Sequence, residues 1–125
     1  MKNRKRDPLA RARQVQRAAA RQGFDWPKDD PRTWAKLAEE IRELKAVAKD
    51  PRKAGEELGD LLFMVVNLAR YLDLDPSAAL RGASAKFRQR FEYILRHRGK
   101  LPPLKHPRRL AAMERLWREA KKKGL

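Results

Sequence analysis

Prolines decide most of what this chain can fold into. In its 125 residues, Pro8, Pro27, Pro31, Pro51, Pro76, Pro102, Pro103 and Pro107, together with Gly23, separate stretches made mostly of strong helix formers with few β-branched runs. A proline lacks the N–H that a helix interior needs but loses nothing in a first turn, so several of these residues mark helix starts. Helices are predicted near residues 8–22, 32–48, 52–73, 77–98 and 107–123. Asp50-Pro51 and Asp75-Pro76 have the form of a cap followed by a first turn, and Asp30-Pro31 resembles them.

Apolar periodicity agrees. Trp34, Leu37, Ile41, Leu44 and Ala48 share one face of the second helix, and Leu80, Ala83, Phe87, Phe91 and Ile94 one face of the fourth. The third helix is different: Leu58, Leu61, Leu62, Val65, Leu68, Ala69 and Leu72 form a seam, while Phe63, Met64 and Val66 extend the apolar surface around the circumference. A helix apolar on all sides is buried on several sides. In a chain of one-domain length, that burial is easiest when two bundles pair, so an all-α homodimer or higher homo-oligomer with the third helix near its centre is expected. Residues 1–7 are expected to be a flexible basic end, and 99–106 a loop before the last helix.

With no cysteine, disulfides, thiolate metal sites and thiol nucleophiles are excluded, and a reducing compartment is the simplest setting. The basic start MKNRKRD is followed by PLARARQVQRAAARQ rather than by an apolar stretch, and no run approaches a membrane span, so a soluble cytoplasmic protein without membrane association is expected. The net charge of +16 is uneven, with +7 over residues 1–22, −2 over 23–60, zero over 61–85 and +11 over 86–125. Basic ends around an acid-bearing middle attract polyanions, which include nucleic acid, anionic membranes and nucleoside triphosphates alike; equally, they serve as a solvated surface.

The acids are concentrated on two helices. Glu40 and Glu43 stand three residues apart at the border of the second helix's apolar face, with Glu39 beside them, and Glu57 and Asp60 repeat the spacing on the third. The latter pair begins the apolar run GDLLFMVV, where isolated carboxylates are costly to bury. Two such pairs facing one another across a helix hairpin supply hard oxygen ligands suited to Mg²⁺, with positions left for water and phosphate. The plainer alternative is a set of surface ion pairs, Glu39 with Arg42 or Lys45 and Glu56 or Glu57 with Lys53, contributing roughly 0.2–0.5 kcal/mol each.

E-E-x-x-E at 39–43, followed by E-L-G-D at 57–60 within GEELGDLLFMVVNLAR, resembles the signature of the MazG family of all-α nucleoside triphosphate pyrophosphohydrolases. RQVQRAAARQGFDWP at 13–27, KFRQRF at 86–91 and MERLWREAKK at 113–122 are similar to the family's first, fourth and C-terminal segments. The resemblance implies a helical bundle of about five helices, completed by homodimerisation. It also implies Mg²⁺, with Mn²⁺ as a substitute, held by Glu40, Glu43, Glu57 and Asp60, and Glu39 as a further ligand or a base that orients water. The implied reaction is attack of metal-activated water on a nucleoside triphosphate, releasing pyrophosphate and a monophosphate.

Lys86 and Arg90, one turn apart, correspond by resemblance to the family's phosphate-binding pair. Asn67 lies two turns beyond Asp60 on the same face, where its amide reaches a ligand or an acid, or fills a buried polar position. Trp117 shares a side with Leu110, Met113 and Ala120; packing explains this, and by resemblance so does contact with the nucleotide. Trp26 and Trp34 are read as packing residues, and His97 and His106 have no metal-ligand spacing. The chain departs from the family in Ser84, where relatives carry asparagine before the lysine-phenylalanine pair, and in its basic surface, including Arg42 and Arg52-Lys53. Competing functions are an all-α dUTPase, dCTPase or phosphoribosyl-ATP pyrophosphohydrolase and, from another class, a non-catalytic basic helical dimer that binds nucleic acid.

Overall fold

Aspartates and prolines start the helices where the sequence places them. The computed structural model describes residues 7–125, so the expected basic N-terminal segment lies outside the described residues apart from Asp7. Among those residues the chain is all-helical, with α1 (Pro8–Arg21), α2 (Arg32–Ala46), α3 (Pro51–Tyr71), α4 (Pro76–Arg96), a short 3₁₀ turn at Arg98–Lys100 and α5 (Arg109–Lys122). Asp7 caps α1 by accepting from the Leu9 and Ala10 N–H groups, and Asp50 caps α3 through Arg52 and Lys53. Asp75 does the same for α4 through Ser77 and Ala78. Asp30 accepts the Arg32 N–H one residue earlier relative to its helix, whose cap position is taken by Pro31.

Three helices end alike. After α1, Gly23 adopts φ +90°, its N–H donates to Ala20 and the Phe24 N–H reaches back to Ala19; Gly124 closes α5 in the same manner with φ +86°. After α3 the left-handed position is held by Asp73 at φ +56°, a residue with a Cβ that pairs its carboxylate with Lys28.

The chain forms two compact units, one reaching to Ala79 and the other running from Leu80 to Leu125. In the first, α1 and α2 both pack on α3. Gln16 ties α1 to α3 from a buried position, its amide donating to the Phe63 carbonyl and accepting from Arg70. Residues 47–50 turn the chain back so that α2 and α3 form a hairpin. In the second, Tyr93 and Ile94 of α4 pack with Leu116 and Ala120 of α5.

Much of the apolar surface of α3 is uncovered within one chain. Val66 is the one buried large hydrophobic residue of α3, while Leu58, Leu62, Phe63, Val65 and Leu72 are exposed in the single chain. Trp34, expected to pack, is 58% exposed. No described helix is long and apolar enough to cross a membrane.

Candidate active site

The α2–α3 hairpin carries all five singled-out carboxylates, and three of them converge. Glu40, Glu57 and Asp60 each offer one oxygen, and these oxygens lie within 4.8 Å of one another. The helix spacing explains how: Glu40 faces α3 from the inner side of α2, and Glu57 and Asp60 are nearly one turn apart on α3. Glu40 is buried, Glu57 half-buried and Asp60 exposed, so the cluster runs from the hairpin interior to solvent. One oxygen of Glu40 and one of Glu57, the Oε2 atom in each, is buried without a hydrogen-bond partner. A buried carboxylate oxygen left so is costly, by about 1–3 kcal/mol or more for a charged group. Hard oxygen donors that the protein itself leaves unsatisfied fit a divalent cation.

Glu43 and Glu39 stand beside this set. Partial desolvation, then repulsion from Glu40, a hydrogen bond with the Glu39 side chain and repulsion from Glu57, raises the Glu43 pKa above the ordinary carboxylate value. Glu39 instead faces Lys36, whose Nζ lies 3.5 Å from it and 3.2 Å from the Glu40 Oε1. Surface pairing therefore exists, with partners other than those expected: Glu39 meets Lys36 rather than Arg42 or Lys45, and Glu56 meets Arg52 at 3.1 Å. Glu57 has no ion pair among the described residues.

Lys36 is the residue that sequence reasoning missed. It precedes Glu40 by one turn, an i,i+4 relation that is the signal for the contact. Its side chain also lines a cleft of about 620 Å³ between α1, the Gly23–Trp26 turn and α3, so one residue touches both the acids and the cleft. Phe63, Met64, Tyr71 and Trp26 give that cleft apolar walls. Asn67 lines it too, and its Oδ1 accepts from Arg70 at 2.6 Å. Trp26 is thus a cleft residue as well as a packing one, with the Arg32 guanidinium 5.4 Å from its ring.

Arg70 holds the cleft together. It donates through both terminal nitrogens to Asp25 at 3.0 and 3.1 Å, and through Nε to Gln16. Tyr71 donates to the same Asp25 carboxylate. The Arg70 hydrogen bond leads the causes that hold the Asp25 pKa below its ordinary 3.8, and burial, followed by the Asp25 hydrogen bond, pushes Tyr71 up. The folded state therefore favours ionised Asp25. Its contribution is complete at neutral pH and is lost as pH falls below 3.8 through the depressed value. Asp25→Asn is expected to destabilise the protein at pH 7 by about 1–2 kcal/mol, discounted for partial exposure, and the gap to the parent is expected to narrow as pH falls below 3.8. Urea unfolding across an acid pH series checks this, and a gap that stays constant down the series would exclude the charge as the cause.

Lys86, Arg90 and Trp117 belong to the second unit. Arg90 donates from Nε to the Leu125 carbonyl at 2.9 Å, and its guanidinium lies 5.2 Å from the Trp117 ring. Phe87 meets the same ring at 5.3 Å. Lys86 is exposed. The histidines serve the backbone: the His97 Nδ1 lies 2.8 Å from the Tyr93 carbonyl, and the His106 Nδ1 accepts the Arg108 N–H.

Comparison with known proteins agrees with this geometry. Residues 30–95 match the family described as the MazG nucleotide pyrophosphohydrolase domain. The chain is similar to the nucleoside triphosphate pyrophosphohydrolase/pyrophosphatase MazG of Thermotoga maritima, with 52% identity over 84 residues, covering 67% of this chain and 32% of that protein. It is also similar to the nucleoside triphosphate pyrophosphohydrolase of Escherichia coli K12, with 35% identity over 124 residues, covering 94% of this chain and 46% of that protein. An uncharacterized protein of Bacillus subtilis, YabN, shares 40% identity over 65 residues, 52% of this chain and 13% of its own length. The chain thus spans less than half the length of these relatives. The family match covers both acidic motifs and more than half of the sequence, and the chain belongs to the MazG family.

Proposed function

We propose that this domain hydrolyses nucleoside triphosphates between the α and β phosphates, yielding a monophosphate and pyrophosphate. The observation that carries the reading is the pair of partnerless buried oxygens on Glu40 and Glu57, converging with Asp60. Glu40, Glu57 and Asp60 would hold Mg²⁺ or Mn²⁺, with Glu43 as the fourth ligand once a cation offsets the repulsion around it. When bound, the cation lowers the pKa of water and neutralises charge developing on the phosphates. Glu39 orients the attacking water or joins the ligand set. Lys36 counters the acids when no metal is present and is placed to meet phosphate oxygens at the cleft.

The nucleoside end takes the cleft, whose apolar and aromatic walls suit a base, with Asn67 offering a hydrogen bond. Lys86 and Arg90 bind phosphate, and Trp117, stacked under Arg90, contacts the nucleotide. The exposed apolar stripe of α3 supports a homodimer. The test is incubation of the protein with a panel of NTPs and dNTPs plus Mg²⁺, resolving monophosphate and pyrophosphate. Release of orthophosphate would sink the α–β assignment, and no turnover of any nucleotide would sink the enzyme.

A further inference from the structure

Nearly half of the 32 cations in the chain lie in its second unit and have no acidic partner there. From Leu80 to Leu125 there are fifteen Lys and Arg residues against three Glu, a net of +12, yet no ion pair joins any of them within this unit. Some cations are used by the fold itself. Arg90 covers Trp117, Arg109 donates to the Pro102 carbonyl and Lys123 lies over Tyr93.

The remainder are ordered along α5. Ala112, Leu116 and Ala120 are its buried face. Along the flank of that face Arg108, Arg115 and Lys122 recur every seven residues, Arg118 and Lys121 lie on the side turned away from it, and all five are exposed. Two exposed acids, Glu114 and Glu119, stand among these five cations, and Glu119 is engaged by the Tyr93 hydroxyl, which donates to it at 3.1 Å; no apolar residue larger than Ala111 interrupts the face, and exposed Leu110 stands at its edge. At about 1.5 Å per residue the row is about 21 Å long. A mononucleotide is too short to engage such a row, whereas a polymer with phosphates at regular intervals matches it. Three of the five are arginines, whose planar fork grips phosphate.

We propose that this face of α5 binds the phosphate backbone of nucleic acid without regard to base sequence. The full chain is titrated into fluorescein-labelled single-stranded RNA and duplex DNA of roughly 20 nucleotides, both with 5′-hydroxyl ends so that no triphosphate can occupy the candidate active site. Fluorescence anisotropy is read between about 50 and 200 mM salt. Binding is expected, with a slope of log K against log salt of roughly −2 to −4, as three to five neutralised phosphates require. The combined Arg115→Ala, Arg118→Ala and Lys122→Ala variant is expected to lose at least about tenfold in affinity at low salt and to flatten the slope by about 2. Its nucleotide turnover and circular dichroism remain those of the parent. Should that variant misfold, Arg115→Gln alone is expected to flatten the slope by about 1.

No binding at low salt would overturn the proposal, as would a variant that binds like the parent. Loss of binding on Arg11→Ala with Arg21→Ala instead would place the polyanion on α1. Binding to vesicles of anionic lipid without binding to RNA or DNA would make the face a membrane surface.

Discussion

Glu57→Gln is expected to reduce turnover by about a thousandfold while leaving the metal-free protein as stable as its parent or more so. The loss corresponds to about 4 kcal/mol of transition-state stabilisation at 1.36 kcal/mol per decade, within the several kcal/mol that a bound cation supplies. The stability effect has the opposite sign from that of an ordinary buried deletion. Glu57 has a buried Oε2 without a partner, set close to Glu40 and Asp60. Replacing it with an amide removes one anion from the cluster and brings an N–H₂ group near the partnerless oxygen of Glu40. In the metal-free state the substitution is expected to contribute about 1–3 kcal/mol of stability. With metal the order reverses: the parent gains about 2.7 kcal/mol at a hundredfold excess over Kd, and the variant gains little. Melting temperatures with EDTA and with Mg²⁺, alongside turnover, decide the matter. A variant that is less stable in EDTA and still active would make Glu57 a structural residue.

Much of this site was legible because its determinants are local. An Asp-Pro pair states both a cap and a first turn, so the starts of α3 and α4 follow from Asp50-Pro51 and Asp75-Pro76. The i,i+3 spacing of Glu57 and Asp60 states that they share a side of one helix. Helix ends were less legible. α2 stops at Ala46 rather than continuing to 48, since Asp50 needs extended backbone to cap α3 and the chain must turn before it. The end of α3 relies on Asp73 in a conformation usually given to glycine.

Contacts distant in sequence were not legible at all. Asp25 and Arg70, which hold the cleft together, are 45 positions apart, and neither residue type marks the other. Lys36 was within reach, one turn before Glu40, but a lysine beside acids reads as surface pairing until its second contact, the cleft, is known. Trp34 shows the limit of periodicity, which tells which residues share a face but not whether anything covers that face.

Leu62→Glu combined with Val65→Glu is expected to convert a dimer into monomers and to abolish turnover with it. Leu58, Leu62, Val65 and Leu72 follow one line along α3 and are 47%, 49%, 43% and 52% exposed in the single chain. Full burial of a Leu or Val contributes about 1.5–3 kcal/mol, so covering the exposed half of four such side chains is worth roughly 3–6 kcal/mol per chain before any association cost. In a two-fold interface each residue appears twice, so two substitutions place four carboxylates in an apolar contact and set like charges against one another. The same helix bears Glu57 and Asp60, so loosening its packing also disturbs the acid cluster. Sedimentation is expected to show a dimeric parent whose melting temperature rises with concentration, and a monomeric, concentration-independent variant. A monomeric parent would remove the interface, and a monomeric variant that retains turnover would show that the site is complete within one copy.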